Sequence, residues 1–347
     1  MKRLKSWLRA CSLLLIISFL CAGLASCVSP KLQKAIPMTD NEQLLRQKIG
    51  AYTALAVFMK GKQNDLLEYY FLHFGAAEPL AVDSKSSKLM TGIFLEFKNK
   101  KEIDPYFGYA DKQPALDEAD RTLKELYPKW NELMTSIIEA DSYYKMKSYV
   151  DDDFAKGKEL HRSILALRAE VKPLTDSFLA QFGTLLAEQR TAELNDFKSK
   201  NLLVTYYALN TIVAAREVEA ELNRQGLTYR NVTDLDTVEF QGKYEVLVES
   251  AGQFLAYSKD AERLKQEALD YNVSSMDIFR ARVVNLKAAA TDILMKAKQE
   301  SAKERQRPAQ VTPGMYKSGM PEHFSKLLGE TELQYMQSID QRYQVDK

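Results

Sequence analysis

The sequence predicts an all-α protein, built as an elongated bundle of long antiparallel helices. From about residue 41 onward, apolar residues recur at three- and four-residue spacing, which is the period of an amphipathic helix. Strong helix formers dominate the same region, and no long alternating pattern typical of a strand interrupts it. Long helices separated by short polar breaks favour antiparallel packing between neighbours.

Residues 1–26 have the pattern of a bacterial lipoprotein signal peptide. A basic N-terminus precedes an apolar run over 13–24, and small residues then lead directly into Cys27. An uncleaved transmembrane helix is the alternative, but this run is shorter than the about 20 residues that a bilayer crossing needs. We therefore expect cleavage before Cys27 and attachment to the membrane through lipid on Cys27.

The residues after Cys27 predict where the protein resides. Val28 stands where an aspartate would retain the protein in the inner membrane of many Gram-negative bacteria. We expect a lipid-anchored protein of the cell envelope, at the outer membrane and facing the periplasm. Pro30 and Pro37 indicate that residues 27–40 form a short lipidated tether.

Composition restricts the partners and cofactors. Residues 1–26 hold four basic residues and no acidic one, so the remainder carries 44 Lys and Arg against 47 Asp and Glu. This slightly acidic balance argues against a nucleic-acid partner. The three cysteines are Cys11, Cys21 and Cys27, so cleavage and lipidation leave no thiol for a disulfide or a metal. We expect no cofactor.

The elements after the tether follow from periodicity and from breaks at Gly and Pro. Polar breaks at 75–79 and 99–114 precede a run of long predicted helices, and Pro173 predicts a kink or a new helix start. We expect one helical domain over 41–306, then an irregular connector and a C-terminal helix within 307–347. The helices are predicted at 115–147, 152–198, 201–225, 233–270, 275–306 and 321–343.

One stretch resembles a known family. Tyr143 and Tyr144, followed by the run from Tyr149 to His161, are similar to the signature of the YiiG-like family of bacterial lipoproteins, a family of unknown function. A second, weaker match begins at Tyr206. The resemblance implies an exported, lipid-anchored, mostly helical protein and supplies no catalytic residue. The candidate ligand or motif residues are Tyr143, Tyr144, Asp153, Lys156, His161, Tyr206 and Tyr207.

Two features of this motif have competing interpretations. The three acids at 151–153 could bind a hard cation, but acids just before a helix more often cap it and complement its dipole. Gly157 lies inside a helical pattern, where glycine costs about 1 kcal/mol relative to alanine, so it predicts a close helix approach or a bend.

The histidine and the tyrosines of the motif are also ambiguous. His161 could bind a ligand or respond to pH, but a lone helical histidine is more often a packing residue. Tyrosine doublets at 69–70, 143–144 and 206–207 predict that one member of each pair faces inward. Those tyrosines could line a cleft or could simply belong to the core.

Two classes of function remain open. The first is a non-enzymatic envelope component that binds a protein, peptidoglycan or a small ligand along a helical groove. The alternative is an envelope hydrolase or metal-dependent enzyme whose site is assembled from dispersed carboxylates and tyrosines. We favour the first because no compact catalytic signature is present, and a deep cleft with convergent Glu, His and Tyr side chains would favour the second.

Overall fold

The computed structural model describes residues 39–80, 97–270, 272–298 and 311–339. Within these ranges the chain is helical with no strand, which confirms the all-α prediction. In chain order the α-helices are α1 (Asp40–Phe58), α2 (Asn64–Phe74), α3 (Phe97–Phe107), α4 (Asp117–Lys145), α5 (Tyr149–Asp152), α6 (Ala155–Ser199), α7 (Leu203–Arg224), α8 (Thr237–Tyr257), α9 (Ala261–Gln266), α10 (Val273–Lys298) and α11 (Pro321–Ser338).

Several sequence-based expectations fall outside the described residues. These are the signal peptide, Cys27, the tether up to residue 38, the segment 299–310 and the C-terminal residues from 340. None of the described helices has the length and apolar content needed to cross a membrane.

Side-chain contacts show that consecutive long helices are antiparallel. Between α4 and α6, Thr122 donates to Gln181 at 2.9 Å and Lys129 pairs with Glu170, so residue numbers rise on one helix as they fall on the other. The same inverse order holds between α7 and α8, in the pairs Asn210–Ser250 and Glu217–Lys243. It also holds between α10 and α11, in the pairs Ser275–Ser338 and Arg282–Glu330.

The predicted breaks differ from the structure in two places. The stretch 99–114 is mostly helical, since α3 extends through Pro105 and a 3₁₀ turn follows at Gly108–Asp111. Helix α6 also passes through Pro173 without ending, so the new helix start, one of the two predicted effects of this proline, does not occur. A proline removes one hydrogen bond, and the burial of Val171 and Phe178 on the packed face of α6 outweighs that loss.

The helix predicted at 233–270 is divided. Asp236 accepts a hydrogen bond from the backbone N–H of Val238 and caps α8, which ends at Tyr257. Asp260 then caps the short helix α9. The predicted start at residue 233 falls instead within a 3₁₀ turn, Val232–Asp234, which ends two residues before the N-cap Asp236.

Two clusters of buried side chains form the core. The larger cluster includes Tyr52, Trp130 and Phe178, draws mainly on α1, α2, α4 and α6, and continues into α7, α8, α10 and α11. The smaller lies among α7, α8, α10 and α11 and includes Phe240 and Phe324. Because Phe324 is fully buried, the predicted C-terminal helix, α11, docks on the body of the protein.

A fully buried lysine fixes α1 to the start of α4. The Nζ of Lys48 donates to the carbonyl oxygens of Lys112 (2.8 Å) and Pro114 (3.0 Å) and pairs with Asp120 at 2.6 Å. The hydroxyl of Tyr52 donates to the other carboxylate oxygen of Asp120 at 2.5 Å. Every donor on the ammonium group therefore has a partner, which is the condition for burying a charge.

We predict that Lys48→Ala lowers the free energy of unfolding by about 3–5 kcal/mol, because Asp120 would stay buried without its counter-ion. The control is Lys172→Ala, which removes an exposed pair with Asp176 and should cost less than about 1 kcal/mol. Chemical denaturation of both variants measures the difference. Equal losses would show that the buried pair contributes no more than a surface pair.

Candidate functional site

A cleft of about 1450 Å³ opens on one side of the described structure. Its lining comes from α1, the turn that joins α1 to α2, α2 itself, α3, α6, α7 and α11, together with the connector residue Tyr316. Charged side chains of both signs alternate with apolar ones around it. None of the seven candidate residues named from the sequence lines this cleft.

The turn between α1 and α2 is a π-helix, Met59–Gln63, with the sequence Met-Lys-Gly-Lys-Gln. Such single wide turns within a helix often occur at functional sites. Gln63 is buried and accepts a hydrogen bond from the indole N–H of Trp130 at 2.8 Å, which anchors the turn to α4. Gly61 faces open space, since a Cβ added at this residue would meet nothing within 4 Å.

A buried network of ion pairs lies beside this turn. The carboxylate of Glu332 on α11 accepts from Arg190 of α6 at 3.0 Å and from the Nε of Arg216 of α7 at 2.9 Å. Arg216 also pairs with Glu219 at 2.5 Å, and Lys60 approaches Glu219 at 3.5 Å. Burial alone would raise the pKa of Glu332, but the two arginines hold it at about 2. This network joins α6, α7, α11 and the π-turn beside the cleft.

An acidic region of the cleft contains Asp65, Glu68 and Glu322. The hydroxyl of Tyr316 donates to Glu68 at 3.2 Å, and the backbone N–H of Tyr229 donates to Glu322 at 2.9 Å. The second carboxylate oxygen of Glu322 is buried without a partner. Burial raises the pKa of both Asp65 and Glu322.

The candidate residues predicted from the motif belong instead to the core and to a helix junction. Tyr143 and Tyr144 are both buried, whereas the sequence predicted an inward-facing position for only one of them. The short helix α5 covers Tyr143, whose hydroxyl donates to Asp152 at 2.6 Å.

The other two tyrosine doublets differ from each other. Tyr70 is buried beside a half-buried Tyr69, as predicted, whereas Tyr206 and Tyr207 are both half-buried.

The candidates do not converge on one site. Tyr207 stacks on Tyr257 with ring centroids 5.5 Å apart, in a separate part of the fold from Tyr143. Lys156 is exposed and pairs with Glu159 at 3.3 Å. No group of three or more histidine, cysteine or acidic residues in the described ranges is arranged to hold a metal ion.

The three aspartates do not act together as an N-cap, contrary to expectation. Asp151 and Asp152 belong to α5, and Asp153 ends it in a left-handed conformation with φ of 48°. Only Asp152 bonds to the start of α6, where it accepts from the backbone N–H of Lys156 at 2.9 Å. The tight α5–α6 turn moves the other two carboxylates away. Hydrogen bonds from Tyr143 and Lys156 lower the pKa of Asp152.

His161 is a packing residue. Its ring is fully buried, with Nε2 3.1 Å from the carbonyl oxygen of Ala77 and Nδ1 2.9 Å from the hydroxyl of Tyr70. Since a carbonyl only accepts, Nε2 carries the proton and Nδ1 accepts from Tyr70. Burial lowers the pKa of His161. The histidine therefore links α6 to α2 in its neutral form.

Gly157 permits the close approach that the sequence predicts. A Cβ at this position would lie 2.7 Å from the hydroxyl oxygen of Tyr144 and 3.0 Å from a ring carbon of Tyr143. The Tyr144 hydroxyl is buried and has no hydrogen-bond partner. The end of α4 thus packs directly on the α6 backbone.

We predict that Gly157→Ala destabilises the protein by about 1–3 kcal/mol, although alanine favours a helix, because the added methyl collides with Tyr144. Tyr144→Phe should restore most of that loss, since it removes the colliding oxygen without breaking a hydrogen bond. The matched control is Gly183→Ala on the exposed side of α6, with open space around it. Denaturation curves for Gly157→Ala, Tyr144→Phe and the double variant measure the coupling between the two positions. If the two losses of stability are additive, residues 157 and 144 are not in contact.

Related proteins place this chain in a family. A family model described as a protein of unknown function, DUF3829, matches residues 43–330. This chain belongs to that family. An uncharacterized protein of Escherichia coli K12, YiiG, is 25% identical over 171 residues, which cover 46% of this chain and 49% of the relative. The chain thus spans about half the length of that relative. No solved structure matches.

The DUF3829 match confirms the YiiG-like resemblance and extends it. It begins within α1 and ends within α11, so it includes the cleft-lining helices except for the last turns of α11. Sequence reasoning missed the cleft. The one local sign of the cleft in the sequence is Gly61, a glycine between Lys60 and Lys62 in an otherwise strong helical pattern.

Proposed function

We propose that this DUF3829 protein is a lipid-anchored component of the cell envelope that binds a ligand in the cleft and does not transform it. The signal-like N-terminus and Cys27 support the anchor, with the outer membrane, facing the periplasm, as its location. The cleft supports the binding role. A protein partner or peptidoglycan could supply the ligand, as could a small molecule.

The size and lining of the cleft are the observation on which the proposal depends. Ligand pockets commonly measure about 300–1,000 Å³, so a cleft of about 1450 Å³ suits an extended ligand. Lysines such as Lys62 and Lys326 alternate with acids such as Asp65 and Glu330 in its lining. That mixture favours a ligand with both polar and apolar groups and disfavours a nucleic acid, which needs a continuous basic surface.

Anchoring depends on the thiol of Cys27. We predict that Cys27→Ser abolishes incorporation of a labelled fatty acid and leaves an unprocessed precursor, because serine cannot accept the diacylglyceryl group. Metabolic labelling and gel mobility test this, and density fractionation of the wild type tests the outer-membrane location. Labelling of the serine variant at the wild-type level would contradict lipidation at Cys27. Wild-type protein in the inner-membrane fraction would contradict the outer-membrane location.

Binding in the cleft can be tested by filling it. We predict that Gly61→Trp removes a ligand that the wild-type lipoprotein retains, because the indole would occupy the open space above the π-turn. The probe is a soluble peptidoglycan digest, with native mass spectrometry as the readout. Gly183→Trp is the matched control, a helical glycine with open space that lies outside the cleft. If both variants bind as the wild type does, the cleft is not the binding site.

A hydrolase remains the second candidate because Asp65 and Glu322, both with raised pKa values, line the same cleft. A carboxyl group whose pKa is raised by burial is a candidate general acid. The same incubation distinguishes the two proposals. Cleaved products that disappear in Asp65→Asn and Glu322→Gln would establish the hydrolase and reject simple binding.

A further inference from the structure

One face of α6 contributes two polar side chains to the lining of the cleft. Arg168 and Thr175 both line the cleft and are seven residues apart, which places them on the same helix face about 10 Å apart along its axis. Val171 lies between them and is almost completely buried. This face therefore offers two polar groups about two helix turns apart.

The Thr175 side chain lacks the hydrogen bond that other helical threonines make. It is 6% exposed, and its hydroxyl has no partner. On the same helix, Thr184 and Thr191 donate to the carbonyl oxygens of Ala180 and Ala187. An unsatisfied buried hydroxyl costs free energy, and a bound ligand group would satisfy it.

Arg168 also has hydrogen-bonding capacity to spare. Its guanidinium carbon lies 4.3 Å from the centre of the Phe71 ring, a cation–π contact that does not use up its N–H donors. Within the described ranges, no carboxylate forms an ion pair with it. A planar guanidinium held in this way is suited to a bidentate contact with a carboxylate.

The rest of the lining restricts what can connect these two groups. A long alkyl chain needs continuous apolar walls, whereas Lys172 and Asp176 interrupt the α6 wall on either side of Thr175. An extended peptide advances about 3.3–3.6 Å per residue, so about three residues span the distance from Arg168 to Thr175. Its amide carbonyls can accept from a threonine hydroxyl.

We propose that the α6 face binds the carboxyl-terminal end of a short extended peptide. The terminal carboxylate pairs with Arg168, and the carbonyl about three residues earlier accepts from the hydroxyl of Thr175. This inference rests on the proposed binding function and adds the class of ligand to it.

Three probes test it on the full-length lipoprotein in nanodiscs, with calorimetry as the readout. They are N-acetyl-tetraalanine with a free carboxylate, the same peptide with a carboxamide end, and octanoate, which has a carboxylate but no amide. We expect the wild type to bind the free acid at least about tenfold more tightly than the carboxamide, because only the acid pairs with Arg168.

The variants separate the two contacts. Arg168→Gln should abolish the preference for the acid, and Thr175→Val should weaken both peptides about three- to tenfold without affecting octanoate. Thr184→Val is the matched control and should leave binding unchanged, since its hydroxyl bonds within its own helix. Melting temperatures verify that each variant is folded.

The contradicting outcomes are distinct. Equal wild-type affinity for acid and carboxamide, or equal effects of Thr175→Val and Thr184→Val, would overturn the peptide assignment. If no peptide binds while Gly61→Trp still removes a ligand from the digest, the assignment is wrong and the cleft function stands. If Gly61→Trp and Gly183→Trp also behave alike, both proposals fail.

Discussion

The carboxylate of Glu332 is the constraint on which the cleft depends. It is 1% exposed and receives hydrogen bonds from arginines of two other helices, α6 and α7. Separating any of the three helices would leave a charge of this buried network without a partner, so all three are held to one arrangement. Through Arg216 and Glu219 the same network reaches Lys60, and the π-turn is positioned relative to α7 and α11.

The π-turn has a second attachment. Gln63 bonds to Trp130, which belongs to the larger core cluster. Lys48 and Asp120 fix the middle of α1 to the start of α4. Helix α1, which lines part of the cleft, is thus held by polar contacts at its middle and just beyond its C-terminal end, while Gly61 leaves space beside the turn. A preformed cleft of this kind lowers the cost of ordering groups on binding.

The family signature and the cleft have different roles in this molecule. Tyr144 packs on Gly157, Asp152 joins α4 to α6, and His161 ties α6 to α2. These contacts set the geometry of the α4–α6 hairpin at one end. The cleft lies further along α6, at Arg168 and Thr175. The most recognisable part of the sequence is therefore structural, and the residues proposed to bind ligand carry no local signature.

The sequence by itself determined the helical class and most long helices, because periodicity and caps act between residues a few positions apart. At Gly157 it predicted a close approach or a bend, and the structure selects the close approach. It also carries the lipoprotein signal, which stays a prediction. Only the tertiary structure decided that Pro173 lies within a helix, that Asp152 alone bonds to α6 and that a cleft exists. The pairs that build the cleft are far apart in sequence: Arg216 meets Glu332 across 116 residues. No local spacing encodes such contacts, since they form only when buried charges and packed faces find their partners in the folded chain.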